Sequence, residues 1–226
     1  MTVTRLHLGS ILRPGSQTPT ATVRAEAIYA YLVRHEDGLI LFDTGIGSHP
    51  EVDQHYRPTR YALPAALSRA GVDPADVSTV VNCHLHFDHC GGNPLFPGRP
   101  IVVQRRELDT ARTTEYTLPE LVDFTGVRYE ELDGEAEIRP GVWILPTPGH
   151  VAGHQSLAVR RPDGAIVLAG QAHDFASEFS HGVMARSAAL NGAAAPLPDF
   201  PPWLDRILAF DPRRVLFAHD AAVWEA

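Results

Sequence analysis

The apolar positions of this chain fall into short runs, and run after run stops on a polar residue. Two long stretches come first, Val3–Leu12 and Val23–Val33. They read as strands joined by the turn-rich segment Arg13-Pro14-Gly15-Ser16-Gln17-Thr18-Pro19. Asp37-Gly38 predicts a tight hairpin into the apolar strand Leu39-Ile40-Leu41-Phe42, which halts at Asp43-Thr44-Gly45. A polar, proline-interrupted loop is expected over 47–60, then a helix over Leu63–Ala70 closed by Gly71. Val77–Val81 is the next strand. Ile101–Val103 follows as a strand, Arg105–Arg112 as a helix, and Val127–Leu132 and Val142–Leu145 as strands. Gln155–Arg161 and Ala165–Leu168 form a hairpin across Asp163-Gly164. Residues 180–202 are rich in Ala, Pro and Gly, show no clear period, and are expected to form a mobile loop or lid. Trp203–Phe210 reads as a short helix and Val215–Ala218 as the final strand.

Many strands with a few helices predict sheets packed between helices, an α/β (α+β) architecture. Asp43, His84, His150, Gln171 and His219 each follow an apolar run. A fold that gathers strand ends on one rim brings all five together. The densest point is Asn82-Cys83-His84-Leu85-His86-Phe87-Asp88-His89-Cys90-Gly91-Gly92-Asn93, directly after Val77–Val81. Imidazole and carboxylate are the ligand types that borderline cations such as zinc prefer. Strand alternation would place His84 and His86 on one side, and a turn would aim Asp88 and His89 at a neighbouring point. Gly91-Gly92 would give the backbone tight or left-handed geometry behind them.

Length and composition narrow the partners. The 226 residues suffice for one substantial domain, expected to span 1–226, and 44% hydrophobic with 20% charged residues is an ordinary globular balance. The net charge of −8 disfavours nucleic acid or an anionic membrane as the main partner. No apolar run reaches bilayer length, and the opening Met1-Thr2-Val3-Thr4-Arg5-Leu6 lacks the apolar core of a secretion signal, so a cytoplasmic location is expected. The two cysteines, Cys83 and Cys90, are expected to be unbridged packing residues.

His84-Leu85-His86-Phe87-Asp88-His89 resembles the HxHxDH signature of the metallo-β-lactamase superfamily. The likeness continues through Leu41-Phe42-Asp43-Thr44-Gly45, Thr147-Pro148-Gly149-His150, Gly153-His154-Gln155-Ser156 and Phe217-Ala218-His219-Asp220. Within the superfamily the chain is most similar to the N-acyl-homoserine lactonase branch. The resemblance implies an αββα four-layer sandwich with two metal ions, usually zinc, on one rim. It places His84, His86 and His150 on the first metal and Asp88, His89 and His219 on the second. Asp43 and Asp220 would orient ligating imidazoles, and His154 would brace a turn.

One position departs from the pattern. Where the family carries an aspartate that bridges the metals and a tyrosine three residues later, this chain has Gln171 and Asp174. Gln171 would contribute a neutral oxygen ligand, so the second metal should bind more weakly unless Asp174 or His173 supplies the charge. Asp174 could replace the phenol as a proton donor only with a raised pKa. The implied reaction is hydrolysis of a small-molecule lactone or carboxylic ester by a metal-bound hydroxide, with Asp88 moving the proton. Thioesterase, aryl-esterase and phosphotriesterase activities are alternatives of the same fold. A thioesterase of the glyoxalase type usually has a further helical region, and seven residues follow His219 here. The alternative of another class is a degenerate metal-binding protein without turnover. The loops 13–20, 47–60 and 180–202 would shape the pocket, with Tyr56, Phe87, Phe175, Phe179 and Met184 as candidate apolar walls.

Overall fold

The computed structural model of the protein describes residues 1–226. Its strands fall into two sheets. The first contains β1 (Thr2–Arg13), β2 (Arg24–His35), β3 (Gly38–Phe42), β4 (Thr59–Arg60), β5 (Val77–Val81), β6 (Pro100–Gln104) and β7 (Arg128–Leu132), in the order β4-β1-β2-β3-β5-β6-β7. The second contains β8 (Ala136–Arg139), β9 (Val142–Pro146), β10 (Gln155–Val159), β11 (Ala165–Leu168), β12 (Pro212–Leu216) and β13 (Val223–Glu225), in the order β13-β12-β11-β10-β9-β8. The helices are α1 (Pro50–Tyr56), α2 (Leu63–Arg69), α3 (Phe87–Cys90), α4 (Arg105–Thr113), α5 (Pro119–Val122), α6 (Ala176–Leu190) and α7 (Trp203–Leu208).

Period-two alternation builds the layers. In β3 and β5, Ile40, Phe42 and Val81 face the second sheet and meet Val142, Ile144, Leu157 and Leu168 there. Leu41 and Val80 point the other way, against Leu63, Leu67 and Leu108 of α2 and α4. On the far side, Leu145, Ala158, Val167 and Val215 carry Ala176, Phe179, Trp203 and Leu204 of α6 and α7. The result is helix, sheet, sheet, helix, the expected αββα sandwich. β3, β5, β6 and β7 run parallel, as do β11 and β12. Parallel strands put their carboxyl ends on one rim, which is where ligands bind in open α/β sheets. Tyr31 Oη donates to the Phe217 carbonyl at 2.7 Å and ties the two sheets together next to that rim.

Three expectations are corrected. Residues 180–190 belong to α6, a helix of 15 residues, rather than to a lid; only 191–202 lack regular structure. Its buried face is Ala176, Phe179, Gly182 and Ala185, spaced three apart but built of small residues, so no hydropathy period marks it. Residues 47–60 hold α1 and the short β4; Pro50 opens that helix and His49 Nδ1 accepts from the Glu51 N–H. Ala136–Arg139 forms an additional strand, and β13, not Val215–Ala218, closes the sheet. Of the tight or left-handed geometry expected at Gly91 and Gly92, the tight turn is what occurs, with φ of −58° and −95°. Gly91 is there for close approach: a Cβ on it would lie 1.9 Å from the Gly47 nitrogen.

Candidate functional site

Five strand ends deliver the polar cluster. Asp43 follows β3, residues 84–89 follow β5, His150 follows β9, Gln171 follows β11 and His219 follows β12. The ladder ends at Val81, so His84 and His86 sit on loop backbone, and their convergence owes nothing to strand pairing. Asp88 and His89 lie on the single turn α3, whose chain is pinned by the Thr44 N–H donating to the His89 carbonyl at 2.7 Å. Beneath the loop Gln155 is fully used: its amide donates to the Asn82 and Val102 carbonyls at 2.9 and 3.0 Å and accepts from Gln104 at 2.9 Å.

Four groups of potential donor atoms are each gathered within 4.8 Å; two are the expected sets, His84, His86 and His150, and Asp88, His89 and His219, while the other two join Cys83 to His84 and His154 and to Asp43 and His89. In the first set His86 Nδ1 lies 2.8 Å from His84 Nε2 and 3.0 Å from His150 Nε2. Burial drives the His84 ring well below the ordinary imidazole range and takes His86 to about 3; desolvation brings His150, which opens onto solvent, to about 4. These rings are therefore neutral at physiological pH, with lone pairs available.

The second set has no internal donor. His89 gives its Nδ1–H to Asp43 Oδ2 at 2.9 Å, which leaves Nε2 with a lone pair facing the Gln171 carbonyl oxygen at 3.2 Å. His219 Nδ1 pairs with the Ala27 carbonyl at 3.1 Å, and its Nε2 is buried without a hydrogen-bond partner. Asp88 Oδ2 is 3.7 Å from both Nε2 atoms. Burial works against the Asp88 charge, but His89, His219, His86 and Arg13 hold its carboxyl at about 2. Burial likewise opposes a proton on His89, yet Asp88 and Asp43 raise its pKa. Without a metal, a proton on His89 is what eases this cluster of buried acceptors, and a cation between Asp88 Oδ2, the orphaned His219 Nε2 and the Gln171 carbonyl would take its place. The residues fit a bound metal.

Asp43 acts as expected, accepting from His89 and, at 2.8 Å, from the Cys83 N–H. His154 braces the turn through Thr147 Oγ1 at 2.8 Å and accepts from the Gln171 N–H at 3.0 Å. Both cysteines are buried and free. Three roles offered by the sequence find no support in the geometry. Asp220 touches no ligating imidazole; it accepts from the Ala176 and Ala222 N–H groups and fixes the start of α6. His173 packs against Trp203, with ring centroids 5.2 Å apart, and belongs to neither ligand set. Asp174 lacks the raised pKa that donating a proton would need. Burial pushes its carboxyl up, but the Gln171 amide, His219, Arg13 and Arg24 more than compensate and keep it ionised.

A cavity of about 1030 Å³ opens over the cluster, with His86, Asp88, His150 and Gln171 in its wall. Segments 13–17 and 51–57 line it as expected, but the third wall is 115–118 rather than 180–202. Tyr56 and Phe87 supply apolar surface there; Phe179 is core and Met184 is on the outer surface.

Residues with no ligand-like spacing also shape the site. Glu26 is buried at the parity of Ile28, Ala30 and Leu32, and an acid among those inward positions is a readable sign of a buried ion pair. Glu107 reaches under the ligand loop, accepting from the Leu85 N–H at 2.8 Å and from Tyr116 Oη, while its Oε2 is buried and unpaired. No pattern in Arg105-Arg106-Glu107 announces this.

Burial raises the Glu107 pKa despite those two bonds. The folded chain thus holds this proton to higher pH than the unfolded chain. Stability falls as pH rises from the ordinary glutamate value to the raised one. Glu107→Gln keeps an acceptor for Leu85 and cannot ionise. Urea unfolding should find it more stable than wild type at about pH 7, with that advantage gone at about pH 4.

The family model of the metallo-beta-lactamase superfamily matches residues 23–219. An N-acyl homoserine lactonase of Bacillus cereus is 35% identical over 154 residues, covering 62% of this chain and 61% of that protein. The N-acyl homoserine lactonase AttM of Rhizobium radiobacter is 35% identical over 113 residues, 45% of this chain and 43% of that one. The chain thus spans about three fifths or less of the length of these curated relatives. Among solved structures, an N-acyl homoserine lactone hydrolase with the product N-hexanoyl-L-homoserine at its catalytic metal centre superposes with a TM-score of 0.76. It is 26% identical, and the match covers 97% of this chain and 93% of that one.

Proposed function

The chain belongs to the metallo-β-lactamase superfamily, and on that footing we propose that it is a metal-dependent hydrolase that opens the ring of N-acyl homoserine lactones. Such an activity would quench quorum signals. The observation that carries this reading is the convergence of two sets of imidazoles, with one ionised carboxylate, at the wall of a substrate-sized cavity. His84, His86 and His150 would hold one divalent cation, zinc in our reading. Asp88, His89 and His219 would hold a second, with the Gln171 carbonyl beside it. When bound, the cations supply Lewis acidity, which makes water acidic near neutral pH and draws electron density from a carbonyl oxygen.

The chain's own groups do the rest. Asp88 is the one carboxylate shared between the cavity and the ligand sets. It takes the proton of the attacking water at Oδ2 and returns it to the ring oxygen as the ester C–O bond breaks. Asp43 holds the His89 ring in the tautomer that presents Nε2. Ile11, Val52, Tyr56, Phe87 and Leu118 offer an apolar wall to the acyl chain. No phenol is free to steady the oxyanion, because Tyr116 donates to Glu107 and Tyr56 to Gln17.

The test is acid release in a pH-stat across acyl-homoserine lactones, other lactones, an aryl ester, a phosphotriester and a β-lactam. The expected result is a kcat/KM for acyl-homoserine lactones at least about tenfold above every other class. Preference for the aryl ester or phosphotriester would overturn the substrate assignment. Bound metal without turnover on any of them would favour a binding-only protein.

A further inference from the structure

Gln171 is an amide among charged groups, and its orientation is set from outside the ligand sets. Its carbonyl oxygen faces His89 Nε2 at 3.2 Å, and its amide nitrogen donates to Asp174 Oδ1 at 2.9 Å. The other Asp174 oxygen accepts from Arg24 Nη2 at 2.5 Å. Arg24 also holds Glu26 Oε1 at 2.6 Å, and that same oxygen accepts from Arg13 Nε at 2.7 Å. The Glu26 side chain is fully buried, while Arg24 and Asp174 are each about a quarter exposed. Two guanidinium groups and two carboxylates form a neutral chain of contacts from β1 and β2 to the end of β11.

An amide can be seated in two ways. Reversed, Gln171 would turn its carbonyl onto the Asp174 carboxylate, acceptor against acceptor. Asp174 forbids that arrangement and so aims the carbonyl inward. A carboxylate that accepts from an amide N–H also polarises the amide and adds negative charge to its oxygen.

We propose that Asp174 is a positioning residue that fixes the Gln171 carbonyl toward the second ligand set and, by accepting from the amide, polarises that oxygen into a stronger neutral donor where an aspartate at 171 would carry a charge of its own. This rests on the reading of the two sets as cation sites. Positions 171 and 174 are then one coupled unit. A carboxylate at both would put two like charges close together, so Gln171→Asp alone gains little. In an Asp174→Asn background the new carboxylate meets a neutral donor instead.

The experiment is a double-mutant cycle on the full chain, stripped of metal and titrated with cobalt(II) against a chromophoric chelator, with the cobalt absorption bands recorded. Wild type, Gln171→Asp, Asp174→Asn and the double variant make the cycle. Asp174→Ala, which leaves the amide unheld, is added. The expected result is an about tenfold weaker second equivalent in Asp174→Ala with altered cobalt bands, and a smaller loss in Asp174→Asn. The double variant should bind the second equivalent at least about tenfold more tightly than the product of the single effects. Additive single effects, or Asp174→Ala with unchanged affinity and bands, would overturn the proposal while leaving the cation sites intact. A wild-type chain that takes up no second equivalent would overturn both.

Discussion

His86→Ala is expected to lose one equivalent of metal and at least about a thousand-fold in kcat/KM for lactone opening, with the fold retained. His86 Nδ1 is the atom that both other imidazoles of its set approach, at 2.8 and 3.0 Å, so nothing replaces it. The side chain is only partly buried, on loop backbone at the cavity wall, and alanine there leaves no sealed void. Metal analysis and circular dichroism on the same sample separate the two effects. Full metal content with wild-type turnover would remove His86 from the site.

Gly91→Ala should do the opposite, unseating structure before chemistry. Its Cβ would fall 1.9 Å from the Gly47 nitrogen, 2.2 Å from the Ile46 carbonyl carbon and 2.6 Å from the Gly45 oxygen. All three are backbone atoms, so no side chain can swing aside. The 45–47 loop must part from the ligand loop, breaking the Gly91 N–H bond to the Gly45 carbonyl at 2.8 Å. The expected loss is about 3 kcal/mol or more, roughly 6–12 °C in melting temperature for a chain of this size. A melting temperature within about 2 °C of wild type would show that the loops yield, and that Gly91 is not required for close approach.

The fold was legible because its strands are short apolar runs with polar stops. That pattern alone pointed to Asp43, His84, His150, Gln171 and His219 as groups one rim could gather; the parallel strands that gather them were not read from it. The distribution of ligands between two sets came from the family resemblance, and the geometry supports it. What hydropathy could not reveal was packing by small groups. The buried stripe of α6 is alanine and glycine around one phenylalanine, and the glycine at 91 answers a neighbouring backbone rather than its own dihedral angle. Long-range electrostatics was equally hidden. Asp174 is paired with Arg24, 150 residues away in sequence and adjacent in space. Glu26 was also missed, although its strand parity offered a signal.

If cations held by these two sets open the lactone, a wild-type chain stripped of metal and titrated with zinc will show it in the ring opening of N-hexanoyl-homoserine lactone. No turnover is expected without metal, and the rate should climb with zinc until both sets are filled. Turnover by the stripped chain, or a fully loaded chain that leaves the lactone closed, would contradict that role for the cations.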